Sequence, residues 1–321
     1  MKICFLAQRR FAYISHYLAL ALKKNHGITE FCAYTSLRTS YDFLQNQKEI
    51  NYGTLLLDEE IHKLYKNEKL DLGYLNQLEK GCGIPNLWPY LMMDRVIRYN
   101  QLVRFYPWDK SKYSHEEMMK ILQVTAKAII EFLDKEKPDF IFFSVVANLS
   151  SLLLYQIAKK KNIKTLILDY SRFKIKYFLS ERCDQSTYLE QSYSYFKNKS
   201  PDSEDKKLVE QAKNFLWEFQ QAPSYYAEKS DALLWFSGGS AGIRSILPRN
   251  IFVSLRWLLR SFSEYLFNRH KEDYMMVKPW EEITDKLKKR FRVLAGYKDL
   301  YDLALAGEKY VYFALHSEPE A

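Results

Sequence analysis

Short apolar runs separated by longer amphipathic stretches dominate the chain, and two pairs of them bracket a helix. Residues 139 to 146 (DFIFFSVV) form a nearly unbroken apolar run behind Pro138, Asn148 can cap a helix over 149 to 161, and 164 to 168 (KTLIL) is apolar again. Runs this short and this apolar read as strands covered on both faces, and parallel strands need a crossover of about this length. The chain opens the same way. Residues 2 to 7 (KICFLA) read as a strand, Tyr13 to Lys24 sets Ile14, Tyr17, Leu18, Ala21 and Leu22 on one helical stripe, and 30 to 35 (EFCAYT) reads as the next strand. Two β-α-β units predict an α/β fold with a Rossmann-like, mainly parallel sheet flanked by helices.

Between 41 and 113 the pattern is less regular and predicts helices near 58 to 80 and 88 to 104, separated by Gly81-Cys-Gly-Ile-Pro85. Ser114 and Glu117 offer a capping box for a helix to about Glu136, with Met118, Ile121, Leu122, Ala128, Ile129 and Phe132 on its apolar stripe. Residues 184 to 206 are Ser-, Asp- and Lys-rich without an apolar period and read as a loop, whereas 207 to 229 and 280 to 306 read as helices. Tyr310 to Leu315 is a further buried-type strand, followed by His316, Glu318 and Glu320 at its carboxyl end. That strand reads as the opening of a second domain, with the boundary at 306 and 307.

Apolar content of 47% with only 10 Gly and 9 Pro places the chain among globular proteins. Its 25 Tyr and 20 Phe suit interfaces and sugar-facing grooves, and codon bias accounts for them equally well. A formal charge of +9 implies attraction to polyanions without choosing among nucleic acid, lipid headgroups and phosphorylated small molecules. Cys4, Cys32, Cys82 and Cys183 have neither C-x-x-C nor zinc spacing, so reduced thiols, no metal site and a cytoplasmic location are expected. The first residues lack the layout of a signal peptide, and no apolar stretch reaches membrane-spanning length.

The candidate chemistry gathers where strands end. Gln8, Arg9 and Arg10 leave the first strand without a G-x-G-x-x-G pattern, so the loop is either an anion site built from two guanidinium groups or a solvated basic turn. Asn148 and Ser150 follow the third of these strands, and Asp169, Tyr170, Ser171 and Arg172 follow the fourth. All should converge on one cleft, although a helix cap fully explains Asn148. His16, near the start of the first helix, reads either as a general base or as a packed side chain. Residues 251 to 271 carry Trp257 and Arg260 among apolar positions and read either as a helix on an anionic membrane surface or as a core helix with snorkelling arginines. Without an RRM, KH or zinc signature, nucleic acid is not the expected partner.

The stretch Tyr310 to Glu320 (YVYFALHSEPE) resembles capsule polysaccharide biosynthesis proteins and Kdo-transferase-like glycosyltransferases of the GT-B type, in which an apolar strand followed by L-H-x-x-P-E opens the nucleotide-sugar-binding domain. Gly83-Ile-Pro-Asn-Leu-Trp88 with Asp94-Arg95, and PDFIFFS followed by Ala147-Asn-Leu-Ser150, are also similar to the amino-terminal domains of that group. The resemblance implies two Rossmann-like domains facing a cleft. Residues 1 to 306 would be the acceptor-side domain with helical insertions, and 307 to 321 the first strand and loop of a truncated donor domain. It places His316, Pro319 and Glu320 on the donor side and implies a nucleotide sugar, a glycan or glycolipid acceptor, and no cofactor or bound metal. The expected function is the acceptor-side part of a glycosyltransferase for a surface polysaccharide, inactive as this chain alone. The rival is a non-catalytic binding or assembly protein of the same pathway.

Overall fold

The computed structural model describes residues 1–94, 97, 113–171, 176–198, 203–221, 248–268, 278–281, 283, 284, 287 and 288. In chain order the elements are β1 (Lys2–Ala7), α1 (Phe11–His26), β2 (Glu30–Thr35), α2 (Arg38–Gln45), β3 (Tyr52–Leu57), α3 (Asp58–Lys63), a 3-10 turn (Leu64–Asn67), α4 (Leu72–Cys82) and α5 (Trp88–Met93). There follow α6 (His115–Glu136), β4 (Phe140–Phe143), α7 (Leu149–Lys160), β5 (Lys164–Ser171), β6 (Lys176–Ser180), α8 (Thr187–Asn198), α9 (Ser203–Gln221) and α10 (Pro248–Phe267). The elements from β1 through α8 belong to one compact unit, and α9 and α10 belong to a second.

Six strands form one sheet in the order β3-β2-β1-β4-β5-β6, parallel except for the antiparallel β5–β6 pair. Both predicted β-α-β units are present, and both feed this sheet. Period-two alternation sends Ile3, Phe5 and Ala7 to the face covered by α1 and α2, while Cys4 and Leu6 turn to the face covered by α6 and α7. Each face therefore has its own core, which is why the central strands read as continuous apolar runs. On the α1 side Phe5 stacks on Phe31 with centroids 5.9 Å apart and meets Phe142 edge-on at 6.2 Å.

Helix ends follow their sequence signals. Ser114 and Glu117 form the predicted capping box at the start of α6. Gly27, with φ of 67°, ends α1 by donating its N–H to Lys23 and passing the next N–H, of Ile28, to Leu22.

Several expectations are corrected. The helix expected over 58 to 80 is broken into α3, a 3-10 turn and α4, with Asp71 capping α4 by accepting from the Tyr74 N–H. Residues 184 to 206, expected as a loop, contain α8. Its Tyr188, Tyr193 and Tyr195 are exposed, so it buries no face that a period could reveal. Strand β5 continues to Ser171, so Asp169 and Tyr170 sit in a strand and not in a loop. The expected strand 310 to 315, most of the helix 280 to 306, the domain boundary at 306 and Arg172 lie outside the described residues. No helix among the described residues is long and apolar enough to cross a membrane.

Candidate functional site

In a sheet of order 3-2-1-4-5 the connections leave β1 and β4 in opposite directions, which opens a crevice between their carboxyl ends. The loops that border this crevice are 8–10 and 144–148. They touch through side chains. Ser144 Oγ donates to Gln8 Oε1 at 3.2 Å, and Gln8 Nε2 lies 3.5 Å from Asn148 Oδ1. Asn148 Oδ1 also accepts the Ser151 N–H at 3.0 Å, so Asn148 caps α7 while it stands beside Gln8.

Arg9 and Arg10 are exposed beside this polar wall. Arg9 has φ of 47°, a left-handed conformation that costs a side-chain-bearing residue about 1 kcal/mol. The carbonyl of Arg9 is held by the hydroxyl of Ser40 at 3.0 Å and by the N–H of Ala12 at 3.2 Å, which fixes the turn. Strain kept in place by surrounding bonds is the kind found at ligand-facing loops.

Helix amino termini at this edge are already supplied with acceptors from the chain itself. The α7 amide of Leu149 donates to Asp94 Oδ2 at 3.1 Å, and the α2 amide of Arg38 donates to Glu59 Oε2 at 3.3 Å. The first α1 amides, those of Phe11, Ala12 and Tyr13, donate to the carbonyls of Gln8, Arg9 and Arg10. Protein carboxylates thus occupy two of the anion positions that an open α/β edge offers. Of the side chains described at this edge, Arg9 and Arg10 are exposed cations.

Behind the crevice lies a buried polar cluster that the sequence did not reveal. Asp58, the first residue of α3, accepts from Tyr34 Oη at 2.6 Å and from Ser150 Oγ at 2.9 Å. Burial, and then the neighbouring Asp58 carboxylate, push the Tyr34 hydroxyl well above the ordinary tyrosine range. The signal was the acidic run Asp58-Glu59-Glu60 directly after the apolar stretch Tyr52 to Leu57, which marks a strand end.

The remaining candidates divide. Asp169 and Tyr170 lie on the part of β5 that runs past the last β4 pair, Phe143 with Ile167, and they pair with Phe178 and Tyr177 of β6. They stand on a two-stranded extension beyond the sheet edge, with Asp169 exposed. His16 does not join the crevice. It is buried against α2 and β3, its Nδ1 3.2 Å from Tyr52 Oη and its Nε2 3.9 Å from Glu49, and Tyr52 is the first residue of β3. His16 therefore faces the amino end of the sheet, and burial lowers its pKa below the ordinary histidine value. Arg172, His316, Glu318 and Glu320 lie outside the described residues. Among the described residues no group of three His, Cys, Asp or Glu is placed to hold a metal.

No protein-family model, curated protein or solved structure matches the chain. The chemistry of the site has to come from its own residues.

Proposed function

We propose that this chain supplies the acceptor-binding side of a GT-B-type glycosyltransferase that builds a surface polysaccharide from a nucleotide-activated sugar, with its acceptor carrying a carboxylate or phosphate. The observation that supports this reading is the crevice between β1 and β4, where the exposed Arg9 and Arg10 border the hydrogen-bonded wall of Gln8, Ser144 and Asn148. Guanidinium groups recognise an oxyanion by paired hydrogen bonds, and the amide and hydroxyl groups beside them suit sugar hydroxyls. The proposal sets the chain in the cytoplasm, at the inner face of the membrane.

Calorimetric titration of the full chain with an acidic oligosaccharide and with its neutral counterpart tests the reading. The acidic ligand binds more tightly, and Arg9→Ala with Arg10→Ala weakens it at least about tenfold while leaving the neutral one unchanged. Equal binding of the acidic ligand by the double variant sinks the assignment.

The position of His16 favours a second reading, a non-catalytic binding or assembly protein of the same pathway. With His16 turned to the opposite end of the sheet, the crevice lacks the base that the sequence suggested for deprotonating an acceptor hydroxyl. Acidic-glycan binding without transfer of a labelled sugar by any longer form of the protein identifies this alternative.

A further inference from the structure

Helix α10 carries a stripe of large apolar side chains on its exposed face. Leu255, Leu259 and Leu266 are 49%, 63% and 62% exposed. At about 100° per residue, Leu255, Leu259 and Leu266 fall within about 40° of one another around the helix axis. Single exposed leucines are ordinary, but an aligned row on one helix is a contact surface.

The two flanks of the row differ. On one side Leu258, Phe262 and Tyr265 are half-buried, and Tyr265 meets Trp280 edge-on at 5.2 Å, so this flank rests on the protein. On the other side, about 100° and 140° from Leu255, stand Arg256 and Arg260, both exposed. Arg260 pairs with Glu264 at 2.6 Å, while the Arg256 side chain has no hydrogen bond or ion pair among the described residues. Trp257 lies about 200° from Leu255, so it points away from the leucine row and is no anchor for it.

We propose that α10 lies flat on an anionic lipid surface, with Leu255, Leu259 and Leu266 in the acyl boundary and Arg256 and Arg260 among the headgroups. The charge arrangement selects lipid over a protein groove. Arginines at the rim of an apolar stripe reach headgroup phosphates by snorkelling, and the formal charge of +9 draws the whole chain to such a surface. The inference stands apart from the glycan-binding reading, since it uses none of the crevice residues.

Co-sedimentation of the full chain with phosphatidylglycerol–phosphatidylcholine vesicles, and with pure phosphatidylcholine vesicles, tests it. The chain pellets with the anionic vesicles. Arg256→Ala lowers that partitioning about five-fold without affecting the pure phosphatidylcholine arm, and Leu259→Glu with Leu266→Glu abolishes it. These positions are exposed, so far-UV circular dichroism stays that of the parent protein. Arg9→Ala with Arg10→Ala loses acidic-glycan binding yet still pellets with anionic vesicles, reduced only as far as the loss of two charges requires, which separates failure here from failure of the glycan reading. No pelleting with anionic vesicles, or undiminished pelleting of the leucine variant, overturns the proposal. So does a dimer that Leu259→Glu dissociates while vesicles leave it unbound, which would assign the stripe to a second copy of the chain.

Discussion

The hydroxyl of Tyr34 donates to Oδ1 of Asp58 at 2.6 Å, tying the end of β2 to the first residue of α3. Ser150 donates to the same oxygen from the first turn of α7. Removing the Tyr34 hydroxyl leaves a buried carboxylate with one donor fewer, so Tyr34→Phe is expected to destabilise the fold by about 2 kcal/mol. Urea unfolding measures this, and an unchanged midpoint removes the cluster from the stability account.

Two changes at the crevice should move stability in opposite directions. Asn148→Ala removes the acceptor for the Ser151 N–H and is expected to cost about 1 kcal/mol. Arg9→Gly relieves the left-handed strain at φ of 47° and should leave stability unchanged or raise it by up to about 1 kcal/mol, while weakening the acidic ligand. Thermal melts and calorimetry on the same two variants check both statements. A destabilised Arg9→Gly would mean that the arginine's stem, and not its backbone, matters there.

Glu136 joins distant parts of the chain, accepting from Lys2 Nζ at 3.1 Å and from the N–H of Thr54 at 3.1 Å, with the Thr54 hydroxyl as a third donor. Burial alone would raise its pKa, but the bonds from Thr54 and Lys2 prevail and hold it below the ordinary glutamate value. A depressed carboxyl pKa contributes stability above the unfolded value of about 4.3, and that contribution is lost as pH falls through the folded value. Glu136→Gln should therefore cost about 2 kcal/mol at pH 7 and progressively less below about pH 4. A pH-independent difference between the two proteins would contradict the linkage.

His16 gives a second pH dependence of the same sign. Its folded pKa is lowered, chiefly by burial, so the unfolded chain holds the extra proton first and stability declines as pH drops below about 6.5. The decline ends below the folded pKa. Two-dimensional NMR of the imidazole should show it titrating below the ordinary histidine value. His16→Ala should cost about 2 kcal/mol without changing acidic-ligand affinity. Lost affinity in a folded His16→Ala protein would return this residue to the site.

What the sequence disclosed follows from how locally each feature is encoded. The strands β1, β2, β4 and β5 are covered on both faces and show as apolar runs, and the capping signals at Ser114 and Asn148 act within three residues. Strand β3 escaped because Gly53 and a register shift between its pairs with Phe31 and Ala33 break its pattern, and most of it is half-exposed. Gln8 and Asn148 were visible as residues that follow strands. Their contact, and the part played by Ser144, depend on β4 lying beside β1, a long-range pairing that no local pattern carries. His16 could have been placed by arithmetic: it lies five residues into α1, and at 1.5 Å per residue that is about 7.5 Å back from the sheet's carboxyl edge.

Among the described residues β3 is the outermost strand on its side, where an uncovered row of N–H and C=O groups would invite another chain to add a strand. The bulge beside Phe31 disturbs that row, and Glu136 places a charged oxygen on the Thr54 N–H at its middle. An incoming strand would have to displace an ion-paired carboxylate and match an irregular register. The residue that ties α6 to the sheet thus also works as a gatekeeper against edge-to-edge aggregation, protection that a chain with so many exposed aromatic and leucine side chains needs.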